Sequence, residues 1–592
     1  MRIDDRVDLV PEAEHLDNAG ADTFLDARPQ PLGRLIALTG SQAVVQFSAD
    51  RSSRAENDGE VTIGSLLGIK TGKSLAIGAL CELSLKNCAS GDSAMDAIAR
   101  IDLLGEISTD AAGNRYFQRG IACYPQLDSA AVLVGRDELQ IIFDSANTAA
   151  IEIGRLQQND SIAAYVNVIV QKHFAIVGST GAGKSTALAL MLRKIMQARS
   201  ALRVLVIDAH NEYGECFDDR ALVLAPGNLK LPFWLLNFDE IVEIVFGPRT
   251  SAEREVSLLA ELIPLAKTEY ARSKSVLRAS YRPSQAEGGR FTVDTPVPYR
   301  LEDVIAAAES RMGKLENSDV AVAYQRLLMR IHSVRKNPRY SFIFEDANAN
   351  DTMVDILSEL LRLKDDERPM SVVQLAGFPA ETMEVIVSVL FRLAFEFGVW
   401  SDGMSPLLIV CEEAHNYANV DQTVGFRSTR DGLSRIAKEG RKHGIFLGLV
   451  TQRPHQLDPT LISQCSTVFA MRLGHEDDQK IVRAAVSDSA SRLLAFLPSL
   501  GTREALVIGA GVPTVMRLRF EELTEGFVPK SQAVWGGQLG PEGAIDDELI
   551  ATVVARWRGI ATGSKPPVAP PGSDLNFGLG EPMQWPPRSQ RG

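Results

Sequence analysis

The stretch IVGSTGAGKSTALALM, from Ile176 to Met191, constrains this chain more than any other. An apolar run ends at Gly178, a short loop follows, and Gly183, Lys184 and Ser185 open a segment with apolar residues three and four apart. That order reads as strand, loop and helix. Glycines in such a loop let backbone amides converge on a phosphate, and the helix adds its positive end. The pattern GxxxxGKS therefore predicts a nucleotide cradle formed by Gly178, Ser179, Thr180, Gly181, Ala182, Gly183, Lys184, Ser185 and Thr186. Lys184 is placed to reach the β- and γ-phosphates of ATP, and the Ser185 hydroxyl to hold Mg²⁺.

A cradle of this kind needs acidic partners at the end of a neighbouring buried strand. SPLLIVCEEAHNYA supplies them: Leu407 to Cys411 form the strand, and Glu412 and Glu413 stand at its mouth. Two adjacent carboxylates there repel each other and lose solvation, a cost that a cation and a bound water relieve. Glu412 is the candidate for indirect contact with Mg²⁺, and Glu413 for polarising the attacking water. In IAKEGRKHGIFLGLVTQRPHQL, Gln452 follows a strand over 445–450 and can hydrogen-bond the γ-phosphate or the water. Arg441 and Arg453 are rival candidates for an arginine finger, a group of large value in phosphoryl transfer. Beyond the strand in RVLVIDAHNEYGECF, Asp208, His210, Asn211 and Glu212 cluster. A metal site is discounted there, since no second histidine is close and the chain has eight in all. A role near the nucleotide and simple turn chemistry both remain open.

The 592 residues, 45% hydrophobic, suffice for more than one core. A net charge of −13 argues against coating nucleic acid wholesale but allows a local basic channel. Six scattered cysteines without a CxxC pair exclude a zinc knuckle or disulfide framework and fit a reducing compartment. The N-terminal stretch MRIDDRVDLVPEAEHLD lacks a signal-peptide core, and no apolar run approaches a membrane span. A soluble cytoplasmic protein is expected, with no membrane partner.

Along the chain, residues 1–30 read as a flexible N-terminus. Short apolar pieces separated by turns over 31–155 predict a small β-barrel or sandwich. Alternating strands and helices over 156–250 predict α/β architecture with a parallel sheet. Residues 251–345 read as a helical insertion, and 346–520 return to sheet material. After 521 comes a tail with one helix, DDELIATVVARWRGI, and a Pro/Gly-rich end expected to be disordered.

Five pieces together resemble the HerA family of hexameric DNA translocases, bacterial members included, within the FtsK–HerA group of P-loop ATPases. They are HFAIVGSTGAGKST, VLVIDAHNEYGE, LLIVCEEAHNYA, IAKEGRKHGIFLGLVTQRPHQLDPTLISQCSTVFAMRL and LPSLGTREALVIGAGVPTVMRLRF. The resemblance implies a RecA-like core, an N-terminal HAS barrel, an inserted helical bundle over 251–345 and a C-terminal brace within 521–592. It places Lys184 and Ser185 on the Walker A motif, Glu412 and Glu413 on Walker B, and Gln452 on the sensor position. Arg441 falls in the family's EGRK-G pattern. It further implies a homo-oligomer, a hexamer, around double-stranded DNA, with a partner nuclease or a sirtuin-type NAD-consuming effector, in DNA-end processing or antiphage defence. The chain shows no nuclease constellation of its own. Arg427, Arg430, Arg335, Lys336 and Arg339 are candidates for gripping DNA phosphates in the pore. The alternative is an ATP-binding scaffold that controls assembly of a partner effector without moving DNA. A membrane-anchored conjugation or division pump is disfavoured by the missing membrane segment.

Overall fold

The structure is a computed structural model. It describes residues 31–529 and Val554, except 49–60, 73, 87–95, 144–149, 158, 167–171, 248–251, 274–290, 314–317, 345–349, 365–366, 422, 424 and 486–491. The expected flexible N-terminus and the tail helix DDELIATVVARWRGI lie outside the described residues. The chain divides into two compact units. One comprises the described residues up to 223 with 354–376 and those from 387 onwards, and the other 224–353 with 377–386.

The first unit begins with a barrel. Its strands are β1 (Gly33–Leu38), β2 (Gln42–Ser48), β3 (Leu66–Lys70), β4 (Leu75–Lys86), β5 (Asp96–Thr109), β6 (Arg115–Arg119) and β7 (Ala130–Leu133). They follow the order β2-β1-β7-β3-β4-β5-β6, and β2 also pairs with β5, which closes six strands and leaves β6 outside. Strand alternation explains the interior: along β5, Ala97, Ala99, Ile101 and Leu103 point inward and are buried. Ala43, Ala76 and Ala131 are also fully buried, and their small side chains suit so narrow a barrel. On the opposite face of the wall, Leu66, Ile77 and Ala79 join the large core shared with the second sheet. Helix α1 (Arg136–Phe143) adds Leu139, Ile142 and Phe143 to that core. Arg119 then ties β6 down: Nε donates to Pro513 O at 2.6 Å, and Nη2 donates to Gly509 O at 2.5 Å and to Val512 O.

The second sheet has eleven strands. They are β8 (Ile151–Leu156), β9 (Asn159–Val166), β10 (His173–Val177), β11 (Arg203–Asp208), β12 (Ala221–Leu224), β13 (Met370–Gln374), β14 (Leu407–Cys411), β15 (Ile445–Thr451), β16 (Cys465–Ala470), β17 (Glu504–Gly509) and β18 (Met516–Phe520). Their order is β12-β13-β11-β14-β15-β10-β16-β17-β18-β8-β9. From β13 to β16 the pairings are parallel, and from β17 to β9 antiparallel. Every residue of β10, β11, β14 and β15 is buried. These strands therefore read as unbroken apolar runs, as strands covered on both faces do. The acid doublet was expected on a strand beside the cradle. Instead β15 lies between β14 and β10, so the doublet is two strands away and Gln452 stands in the gap.

Helix α2 (Lys184–Ala198) buries Ala187, Leu188, Met191, Leu192 and Ile195 against the sheet, the period that the sequence displays. The second unit holds α3 (Phe238–Phe246), α4 (Glu253–Ser273), α5 (Leu301–Met312) and α6 (Ser318–Lys336). Asn237 and Glu240 form a reciprocal capping box at the start of α3. In α4, the buried Lys267 donates to the carbonyls of Thr292 (3.3 Å), Val293 (2.5 Å) and Thr295 (2.8 Å). Burial brings this lysine down to about 8. Helices α7 (Ala380–Trp400), α8 (Arg427–Glu439) and α9 (Glu476–Ala484) complete the longer helices. No described helix is long and apolar enough to cross a membrane.

Candidate nucleotide site

The loop between β10 and α2 opens at the carboxyl end of the parallel strands, where open α/β sheets bind ligands. Gly181 and Gly183 have φ of 73° and 101°, a region that a side chain enters only at a cost. These two turns wrap the loop around the start of α2, whose first residue is Lys184. Lys184 is buried, and its Nζ donates to Ser179 O at 3.2 Å, within the loop itself. Ser179 is held in turn: its amide donates to Arg472 O at 2.8 Å and its hydroxyl to the same oxygen at 2.9 Å. Thr180 Oγ1 donates to Gln452 Oε1 at 2.6 Å, so the sensor candidate touches the loop directly. Ser185 and Thr186 are half-buried on the first turn of α2.

The acidic side of the site is crowded. Asp208 is fully buried at the end of β11; its carboxylate accepts from the amides of Glu212 and Tyr213, each at 3.0 Å. It also shares a hydrogen bond with Glu412. Burial, then the charges of Asp208, Glu212 and Glu413, push the Glu412 carboxyl up to about 9. This is the outcome expected when two carboxyls share one dry site: one keeps a proton. Glu412 Oε2 is buried and has no hydrogen-bond partner, while His210 Nδ1 stands 4.0 Å away. The Tyr213 hydroxyl is fully buried beside Ser185 without a hydrogen bond of good geometry.

Glu413 sits in the left-handed region at φ 48°, and its carboxylate accepts the Gln452 amide at 3.4 Å. Burial raises its pKa, against the pull of Lys184. Burial lowers that of Lys184, against Glu413, Glu412 and Glu212. The lysine and the acid doublet thus face one space. His415 Nδ1 lies 3.3 Å from Glu413 Oε2 and 3.0 Å from Thr451 Oγ1. Burial and the charge of Arg453 bring it down to about 4, so it is a neutral hydrogen-bonding group at physiological pH.

The structure separates the two finger candidates. Arg453 is exposed at the mouth, near His415. Arg441 is exposed in the turn before β15, and its charge acts on His173 at the start of β10. It therefore lies at the opposite end of the sheet from its own chain's loop. His173 itself is buried and lowered to about 4 by burial and Arg441. Its Nε2 lies 3.1 Å from Ala437 O, and its Nδ1 accepts the Leu447 amide at 2.9 Å, stitching α8 to β15.

Asn211 ties the exit of β11 to the segment after β13: its side chain exchanges two hydrogen bonds with the Ala376 backbone, at 3.0 and 3.1 Å. Of the basic residues considered for DNA, Arg335 pairs with Glu302, Arg339 with Glu381 at 3.5 Å and Arg427 with Asp431 at 3.2 Å. Two residues at the mouth were not singled out from sequence as part of the site's chemistry: His415, although it stands two positions after the acid doublet, and Arg503, whose backbone amide donates to Ala182 O at 2.9 Å.

The family described as "Helicase HerA, central domain" matches residues 151–394. The central part of the chain is thus similar to the HerA helicases. It is 24% identical over 420 residues to a probable helicase of Methanocaldococcus jannaschii, covering 67% of this chain and 73% of the relative. It is 23% identical over 524 residues to the DNA double-strand break repair helicase HerA of Sulfolobus acidocaldarius, covering 85% of this chain and 94% of the relative. Among solved structures, VirB4 of Thermoanaerobacter pseudethanolicus matches at TM-score 0.43 and 13% identity, over 64% of this chain and 98% of that one. With a HerA-like central domain and a phosphate-binding loop facing an acid doublet, the chain is a P-loop ATPase.

The chemistry of the donors fits a divalent cation. Four carboxyl-bearing residues, Asp208, Glu212, Glu412 and Glu413, act on one another around a single lysine, and a buried oxygen of Glu412 has no partner. Hard oxygen donors of this kind suit Mg²⁺. Among the described residues, no three or more histidine, cysteine and acidic side chains are arranged to hold a metal by themselves, so a cation here would need Ser185, phosphate oxygens and water as further donors.

Proposed function

We propose that this HerA-like ATPase is a motor on double-stranded DNA, working as a ring of identical subunits, a hexamer, in the cytoplasm. The observation that carries the reading is the convergence of Lys184 with Glu412 and Glu413 across β15. Relatives that are helicases of DNA double-strand break repair support DNA as the track. Cutting or NAD-consuming chemistry belongs to a partner nuclease or sirtuin-type effector, in end processing or antiphage defence.

In this reading the amides of residues 178–186 and the Lys184 ammonium receive the phosphates of ATP. Ser185 and, through water, Glu412 would hold Mg²⁺, which would neutralise phosphate charge. Glu413 orients and polarises the attacking water. Its carboxylate already accepts the Gln452 amide, while the Gln452 side chain accepts from Thr180. Gln452 thus spans base and loop and can report whether a γ-phosphate is present. Arg441 completes the site of the next subunit. Its position at the far end of the sheet suits a head-to-tail ring, in which one edge of each copy meets the opposite edge of the next. Contact with the DNA backbone requires a locally basic pore within the acidic protein.

The test is ATP turnover with and without linear duplex DNA, together with displacement of a triplex-forming strand. Stimulation by DNA and displacement that depends on ATP are expected. Turnover indifferent to DNA but raised by the product of a neighbouring gene would replace the motor with an assembly scaffold.

A further inference from the structure

Three described non-glycine residues with positive φ stand at this end of the sheet: Asn211, Glu413 and Arg503, at φ 59°, 48° and 65°. Glycine would adopt the Arg503 backbone conformation freely, whereas a long side chain adopts it against a steric cost. Such strain persists where the surroundings impose it, and it concentrates at functional sites. Here the surroundings are specific. The Arg503 amide donates to Ala182 O and its carbonyl accepts from the Phe520 amide, both at 2.9 Å. Its Cγ lies 3.2 Å from where a Cβ on Gly183 would stand, so the side-chain stem lies flat on the residue preceding Lys184.

The far end of the side chain is held less firmly. Nη2 donates to Glu522, whose side chain is 78% exposed against 20% for Arg503. Ion pairs to so exposed a partner are weak. Glu522 belongs to a segment that straps the outside of α2: Lys194 Nζ meets Glu521 Oε2 at 3.0 Å, and the Arg193 guanidinium stacks 3.6 Å from the centre of the Phe527 ring.

We propose that Arg503 is a second phosphate-binding cation of its own subunit's site: when nucleotide enters, the guanidinium leaves Glu522 and binds the α- and β-phosphates. The proposal rests on the nucleotide reading of the loop. A strained backbone aims the stem over the cradle. A weak, solvated carboxylate holds the guanidinium until a stronger, multiply charged partner arrives, with which charge-assisted bonds form. The 521–527 strap thereby registers whether the site is filled.

The test titrates the full chain with fluorescent analogues of ADP and ATP. Arg503→Gly removes the guanidinium and the backbone strain together, so the folded state is not put at risk. It should weaken both nucleotides by about 10- to 100-fold and raise KM for ATP far more than it lowers kcat. Arg503→Lys should recover part of the loss, and Glu522→Gln should bind at least as tightly as the wild type. Wild-type affinity in Arg503→Gly would overturn the proposal. So would a fall in kcat at unchanged KM, or a loss in Glu522→Gln equal to that in Arg503→Gly. Failure of the underlying nucleotide reading looks different: the wild-type chain would then bind neither analogue.

Discussion

At the carboxyl ends of β11 and β14, Asp208 and Glu412 share a proton in a buried space, Glu412 Oε2 lacks a partner, and Glu413 is twisted into the left-handed region. At the amino ends of β10 and β15, His173 is just as buried, yet both ring nitrogens are engaged and the group is neutral. Both ends belong to one parallel sheet of equally buried strands, so the sheet itself does not set the difference. A buried polar group with every partner in place holds a scaffold together, whereas one left incomplete costs stability and is kept for a ligand that completes it. On the proposed reading, the mouth keeps its incomplete groups for ATP and Mg²⁺, and the far end holds Arg441 out on a rigid base.

The largest effect expected at the mouth is that of Lys184→Ala, which should abolish ATP binding and turnover while leaving the circular dichroism spectrum intact; retained turnover would remove the contrast altogether. Arg441→Ala should lower turnover by ~10³-fold, within the range of arginine fingers, with ATP still bound. Mixing it with Lys184→Ala chains should restore some activity, because each ring then contains intact composite sites. If mixing restores nothing, Arg441 does not serve a neighbour. Glu413→Gln should slow turnover by about 10²-fold, the scale of a positioned general base, without loss of ATP affinity. Normal single-turnover rates would move that role elsewhere.

The smallest effect sharpens the comparison most. A carboxyl kept protonated in the fold and ionised in the unfolded chain costs the folded state more as pH rises. For Glu412 that cost grows between its ordinary value of 4.5 and about 9. Without metal, Glu412→Gln should therefore melt a few degrees higher than the wild type at pH 8, with the gap closing towards pH 4.5. Added Mg²⁺ should raise the wild-type melting temperature and leave the variant's nearly unchanged. A variant that melts lower than the wild type at pH 8 would mean that Glu412 is not a strained acid.

The chemistry near the cradle was legible because its parts are contiguous in sequence. The apolar run into Gly178, the helix after Lys184 and the pair Glu412–Glu413 each declare themselves within a dozen residues. What sequence leaves open depends on pairings between distant segments. Nothing in LLIVCEEA shows that β15 separates it from β10, because strand order is set by how helices α7 and α8 cross the sheet. Asp208 was noticed at a strand end, but its partnership with Glu412 needs β11 and β14 side by side. Arg503 reads in sequence as one more basic residue before a strand, and its backbone angle has no signature in composition. The closed barrel was readable in kind from the short apolar pieces. Its joint with the core through Arg119 was not, since one arginine reaches three carbonyls almost 400 positions away.

The pairing of β8 with β18 sets Leu156 opposite Leu518. A ribosome has thus made the barrel, the cradle and the helical unit before it supplies the strand that covers β8. Until then the β8–β9 hairpin presents a bare hydrogen-bonding edge to the cell, an invitation to mispair with another nascent chain. Completion of the sheet waits until Met516–Phe520 has been made, and chains cut short before Met516 would emerge with that edge permanently open.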